Sequence, residues 1–222
     1  TTTTADEQRL STRQMAEFVA NGYLRFDSII PADINERAIA EIGRDFVKPD
    51  LRAVLETVGP SGEIYDHFDG RLLNPGHAIE AAWFILREAR RSGDEAMKQL
   101  GLSMLDYMWE RGWDREHGGL VYGYAPDGTV CDSDKYFWVQ AESFASAWRL
   151  WRATNDSRYL QQYQDTWDWA WRHLVDHTHG AWYRIVDAHG QKLENTKSPA
   201  GKVDYHTMGA CWDVLRVGGL QA

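Results

Sequence analysis

The chain has 222 residues, of which 43% are apolar and 26% charged, so it can bury a sizeable core and carry a hydrated surface. That composition excludes a disordered chain, and a net charge of -9 argues against a nucleic-acid binder, which needs a cationic face. No apolar run is long enough for a transmembrane helix, and residues 1–9 are polar, without the apolar stretch of a signal peptide. Two cysteines, Cys131 and Cys211, build no disulfide framework and suit a reducing compartment, so a cytoplasmic protein is expected.

Residues 1–48 read as an N-terminal helical extension. Ser11 starts a short helix that Gly22 ends, residues 23–30 are β-prone up to Pro31, and residues 34–46 form a second amphipathic helix. All 11 Trp lie beyond residue 82, and Pro49 with Gly59-Pro60-Ser61-Gly62 marks a module boundary near residue 48. From there, residues 49–222 read as helix pairs. Residues 78–91 are apolar nearly all round, which suits an inner helix; residues 94–110 carry Met97, Leu100, Met104, Leu105 and Met108 on one stripe, which suits an outer one. Residues 138–153 and 157–175 repeat that pair.

A shift of 62 residues maps Trp109 onto Trp171, His117 onto His179, Gly118 onto Gly180 and Gly128 onto Gly190. Short hairpins, with turns at Pro126-Asp127-Gly128 and His189-Gly190, fill the connections. The same shift takes Glu80 to Glu142 and Glu142 to Asp204, so three acids are expected at equivalent starts of inner helices. Alternating inner and outer helices at a fixed period predict an all-α fold, a partial α/α toroid. In a toroid those helix starts converge on one end of the central hole, beside His77 and His206.

His77 stands at a helix entrance launched by Pro75-Gly76, with Glu80 one turn on, where it is expected to hydrogen-bond the imidazole and fix its tautomer. His67 and Asp69 have the spacing of two non-haem iron ligands, but the helices that follow do not make the fold such a site needs. His173, His177 and His179 lack the glutamate of a zinc-protease motif and read as a solvated helix end. Aromatic residues are abundant, 28 in all counting 10 Tyr and 7 Phe, and rings that line a cleft would stack on sugar faces.

The run NPGHAIEAAWF (residues 74–84) resembles the N-acylglucosamine 2-epimerase superfamily, which includes cellobiose 2-epimerases and mannose isomerases. KYFWVQAE (135–142), the His117-Gly118-Gly119 and His179-Gly180-Ala181-Trp182 segments, and KVDYH (202–206) are similar to further motifs of that family, and the resemblance covers about residues 63–217. It implies an (α/α)6 barrel, here partial. It also implies His77 and His206 as an acid–base pair, Glu80 and Glu142 as acids that support them or bind sugar hydroxyls, and Trp138, Gln140, Lys135 and Asp204 as further substrate-binding residues. The implied chemistry is 2-epimerisation or aldose–ketose isomerisation of a mannose- or glucose-type sugar through an enediolate, with no cofactor and no metal. The partner is a small-molecule sugar, with neither nucleic acid nor membrane. The rival reading is a catalytically inactive sugar-binding or structural fragment.

Two departures stand out. The chain holds only part of the family's helix pairs, so raw apolar edges predict a homo-oligomer. The resemblance implies that the helix pairs this chain lacks supply an Arg and a His-containing helix of the pocket, and an Arg that some members carry three residues after the second histidine is Gly209 here, so the oxyanion partner is unassigned, with Arg71 and Lys135 as candidates. Residues 15–42 resemble the opening of the phytanoyl-CoA dioxygenase family.

Overall fold

The computed structural model describes residues 9–26, 29–200 and 202–217. The polar opening, residues 1–8, lies outside them. The chain divides into two compact units at Ala38/Ile39, ahead of the boundary expected near residue 48.

The smaller unit holds α1 (Thr12–Asn21) and most of α2 (Ala32–Glu41). Ser11 and Gln14 close a reciprocal capping box on α1, and Gly22 ends it in the left-handed conformation, φ +76°. The β-prone stretch 23–30 forms no strand among its described residues. Nor is 34–46 one helix: α2 stops at Glu41 and a π-helical turn, Ile42–Phe46, follows.

In the larger unit Ile39, Ile42 and Phe46 pack onto the core. β1 (Val47–Lys48) pairs antiparallel with β2 (Ala53–Val54), and a one-turn helix, α3 (Phe68–Arg71), leads into the main layers. These are α4 (Pro75–Ser92), α5 (Glu95–Gly112), α6 (Phe137–Thr154), α7 (Ser157–His173) and α8 (Tyr205–Val217). Three of these helices, α4, α5 and α7, start where a polar side chain meets free N–H groups: Asn74 accepts from the His77 N–H at 3.0 Å, Asp94 from Met97 at 2.9 Å and Asp156 from Arg158 at 2.9 Å. The chain is mostly helical. α6 is buried on nearly all sides and packs against α4, α7 and α8, whereas α7 buries only Tyr159, Thr166, Trp169 and Ala170. Thus α4, α6 and α8 make an inner row, with α5 and α7 outside. Ile79, Ala82 and Ile85 of α4 meet Met104, Leu105 and Met108 of α5 in one core; Phe144, Trp169, Leu174 and Trp182 make a second.

The 62-residue period holds in space. α4 and α6 start at Pro75 and Phe137, α5 and α7 at Glu95 and Ser157. The hydrogen bonds repeat as well. Asp114 accepts from the N–H groups of Glu116 and His117 and pairs with Lys135 at 2.7 Å; Asp176 accepts from Thr178 and His179 and pairs with Lys197 at 2.7 Å. Gly119 is left-handed at φ +75°, and its counterpart Ala181 holds the same region at φ +63° despite its Cβ.

The repeat fails at its third step. Glu80 and Glu142 each lie one turn inside their helices, but Asp204 lies just before α8 begins. The hairpins are small: β3 (Gly123–Tyr124) pairs with β4 (Val130–Asp132), and β6 (Ile185–Val186) pairs with β5 (Lys135–Tyr136), the strand that opens α6. On α8, Tyr205, Met208, Trp212 and Leu215 form an exposed stripe at helical spacing.

Candidate active site

A cavity of about 420 Å³ opens at the starts of α4, α6 and α8. His77 and Glu80 come from α4, Trp138 from α6 and His206 from α8; Tyr122, Tyr136, Arg184 and Lys202 complete its polar and aromatic wall. Gly76 permits this arrangement, because a Cβ there would lie 2.7 Å from the Trp138 ring. The indole therefore sits against the start of α4. The His77 ring stacks on it at 4.8 Å, and the His206 ring lies 5.6 Å from it on a tilted plane.

The two histidines have different carboxylate partners. His206 Nδ1 lies 2.7 Å from Glu142 Oε1, while Glu142 Oε2 accepts the Trp83 indole N–H at 3.0 Å. Glu142 is buried, so these bonds fix both its orientation and the imidazole it holds. His77 Nδ1 lies 3.1 and 3.2 Å from the two oxygens of Glu56. Glu56, not Glu80, is thus the partner of His77, and its hydrogen bond raises the His77 pKa against the opposing effect of burial. Glu80 faces the cavity instead. Burial and the neighbouring charge of Glu142 push its carboxyl up, only partly offset by the two histidines. Donor atoms of Glu80, Glu142 and His206 lie within 4.8 Å of one another, the one such group among the described residues that could hold a metal ion.

Four residues expected to bind substrate lie outside the cavity wall: Glu142, which holds His206 from behind it, and Lys135, Gln140 and Asp204. Lys135 is fully buried and holds Asp114 and the Ala188 carbonyl, the latter at 2.6 Å. Gln140 is fully buried too: its Oε1 accepts the Leu120 N–H at 2.9 Å and its Nε2 donates to the Leu120 carbonyl at 2.8 Å. A buried polar side chain needs such partners, and both residues have found them in the backbone or the loop. Asp204 is half-exposed and pairs with Lys202 at 3.2 Å. Arg71 pairs with Asp66 and lines a separate cavity with Phe68, Cys131 and Asp132.

Three of the other histidines, His67, His173 and His177, are accounted for locally. His67 caps α3 and sits 3.4 Å from Asp69 in the first turn of that helix, both side chains exposed. His173 Nδ1 reaches the Gly190 carbonyl at 3.3 Å, and His177 Nε2 reaches that of Trp171 at 2.8 Å, so the two share no ligand. Glu56 and Arg184 were missed in the sequence. Glu56 lies in a loop with no periodicity, and Arg184 reads as one polar position in an apolar strand.

Two rows of helices with a histidine-lined, aromatic-walled cavity at the helix starts define a helical-layer protein. The chain belongs to the N-acylglucosamine 2-epimerase family, whose model matches residues 43–210. It is 54% identical over 142 residues to the D-mannose isomerase of Marinomonas mediterranea, covering 64% of this chain and 36% of that protein. To the N-acylglucosamine 2-epimerase of Bos taurus it is 30% identical over 161 residues, 70% of this chain and 38% of the relative. A crystal structure of a D-mannose isomerase superimposes with a TM-score of 0.71 at 39% identity, covering 91% of this chain and 53% of that one. The cellobiose 2-epimerase of Bacillus thermoamylovorans shares the fold, with a TM-score of 0.71 at 22% identity over 83% of this chain and 47% of its own. The chain therefore spans little more than a third of the curated relatives it matches. The family match begins at residue 43 and takes in none of residues 15–42.

Proposed function

We propose that this cavity moves a proton at C2 of an open-chain aldose of the mannose or glucose type, with His77 and His206 as the acid–base pair, inside one part of an α/α toroid. The observation that carries this reading is the placement of both imidazoles against the Trp138 ring in one cavity, each with its own carboxylate. One histidine removes the C2 proton. The C–H electron pair becomes the C1=C2 bond and the carbonyl pair moves onto O1 as an enediolate. Protonation of C2 from the other face inverts it; protonation of C1, with the O2 proton passing to O1, gives the ketose. An imidazole suits both halves of that exchange, because its ordinary pKa lies near neutrality. Tyr122, Tyr136 and Trp138 offer ring surface for the sugar, and Glu80 a hydroxyl-binding carboxylate.

The test is solvent exchange. The chain is incubated with mannose, N-acetylmannosamine and cellobiose in deuterium oxide, and C2 deuterium is read by mass spectrometry. Exchange with one of them, lowered about 10²-fold or more in His77→Asn and His206→Asn at unchanged melting temperature, is the expected result. A folded chain that binds sugar without exchange would instead establish a non-catalytic sugar-binding module. Self-association belongs to the same proposal. A second copy would cover the α8 stripe, and sedimentation should show a dimer or larger.

A further inference from the structure

An enediolate places negative charge on an oxygen that neither histidine can neutralise while it is also shuttling a proton. A fixed donor aimed at that oxygen is the largest single contribution such a site can make. We propose that Arg184 is this donor, its guanidinium N–H groups hydrogen-bonding the enediolate oxygen as the C1 carbonyl pair moves onto it. The inference rests on the proton-transfer reading and adds a catalytic residue to it.

The assignment follows from which cations are committed elsewhere. Lys202 also lines the cavity, but its ammonium lies 3.2 Å from the Asp204 carboxylate and 4.7 Å over the Phe137 ring. Lys135 is buried on Asp114. Arg71 is paired with Asp66 beside the other cavity. Arg149 is paired with Asp213 and lies 4.0 Å over the Trp83 ring, away from the wall. Arg184 is on the wall, and among the described residues it has no carboxylate partner.

Its backbone is also held in place. The Arg184 carbonyl accepts the Phe137 N–H at 3.0 Å, and the next two residues pair with Tyr136 and Lys135 in the β5–β6 ladder. Phe137 and Trp138 open α6, so the root of the Arg184 side chain is tied to the helix end that carries the ring between the histidines. A donor anchored in this way needs little reorganisation as charge develops. The reach of its charge is visible on Tyr136: burial raises the phenol's pKa, and Arg184 opposes that rise.

The experiment separates recognition of charge from recognition of a sugar. Binding of two probes is measured calorimetrically on the full chain: the hydroxamate of a four-carbon sugar acid, which resembles the planar enediolate, and the corresponding neutral alditol. Arg184→Met should weaken the hydroxamate by about 10²-fold, the usual loss when an oxyanion donor is removed, and the alditol by less than about threefold. Arg184→Lys, which keeps charge but loses the fork, should fall between. Arg71→Met should change neither. Equal losses for both probes, or no loss for either, in a variant of unchanged melting temperature would overturn the assignment. If Arg184→Met does not fold, the lysine variant decides: an unchanged preference for the hydroxamate overturns it, a reduced one supports it. A wild-type chain that binds neither probe would overturn the proton-transfer reading, and this inference with it.

Discussion

Replacing Gln140 by Leu tests whether that residue serves the sugar or the fold. In the structure its amide closes a two-bond clamp on Leu120, at 2.9 and 2.8 Å, inside the protein. Leucine fills similar volume but leaves the Leu120 N–H and C=O without those partners. Each stranded buried backbone group costs about 1–3 kcal/mol, so the pair should cost about 4 kcal/mol. For a chain of this size that lowers the melting temperature by about 8–16 °C. Thermal unfolding followed by circular dichroism measures the drop, and calorimetry at a temperature where the variant is folded measures sugar affinity, which should be unchanged. A drop under about 3 °C together with weakened sugar binding would refute the reasoning and return Gln140 to the substrate.

Lys135→Met should destabilise by about 3–5 kcal/mol, because it strands the largely buried Asp114 carboxylate; denaturant titration checks this. Acid should act through the same pairs. Burial opposes the charge of Asp114, but Lys135 and two backbone N–H groups outweigh it and hold its carboxyl low; Lys197 foremost, with the His179 and Thr178 N–H groups, does the same for Asp176. A lowered native value stabilises above the unfolded carboxylate pKa of about 3.9 and loses that contribution as pH falls through the native one. Melting temperatures should therefore drop below about pH 4, and less steeply in an Asp114→Asn, Asp176→Asn double variant. At the cavity, Glu56→Gln should lower the His77 titration midpoint, since Glu56 favours the charged ring; proton NMR of the imidazole reads it, and an unmoved midpoint would exclude Glu56 as the cause.

Helix starts were legible because short polar caps and Pro75 act locally, and the 62-residue period located both pairs. The cavity was legible in outline, since His77, Glu80, Trp138 and His206 do meet there. What failed to show was the partner of each polar residue. Lys135 and Gln140 sit in a motif beside Trp138, and a polar residue that satisfies the core looks in sequence like one that binds substrate. Glu56 reaches His77 from 21 residues upstream, a contact that no local pattern encodes. The π-helical turn at Ile42–Phe46 escaped notice because its residues fit an ordinary amphipathic helix.

The repeated aspartate–lysine clamp bears on how the molecule comes apart. Asp114 follows α5, whereas Lys135 begins the strand that opens α6 and reaches forward to the Ala188 carbonyl beyond α7. Each tie thus spans the joint between one helix pair and the next, and Asp176–Lys197 spans the following joint. Stability in such an array resides in nearest-neighbour coupling as much as in the units themselves. Loosening one joint removes support from the pairs on both sides, so local openings at the joints and the loss of the whole array become a single cooperative event.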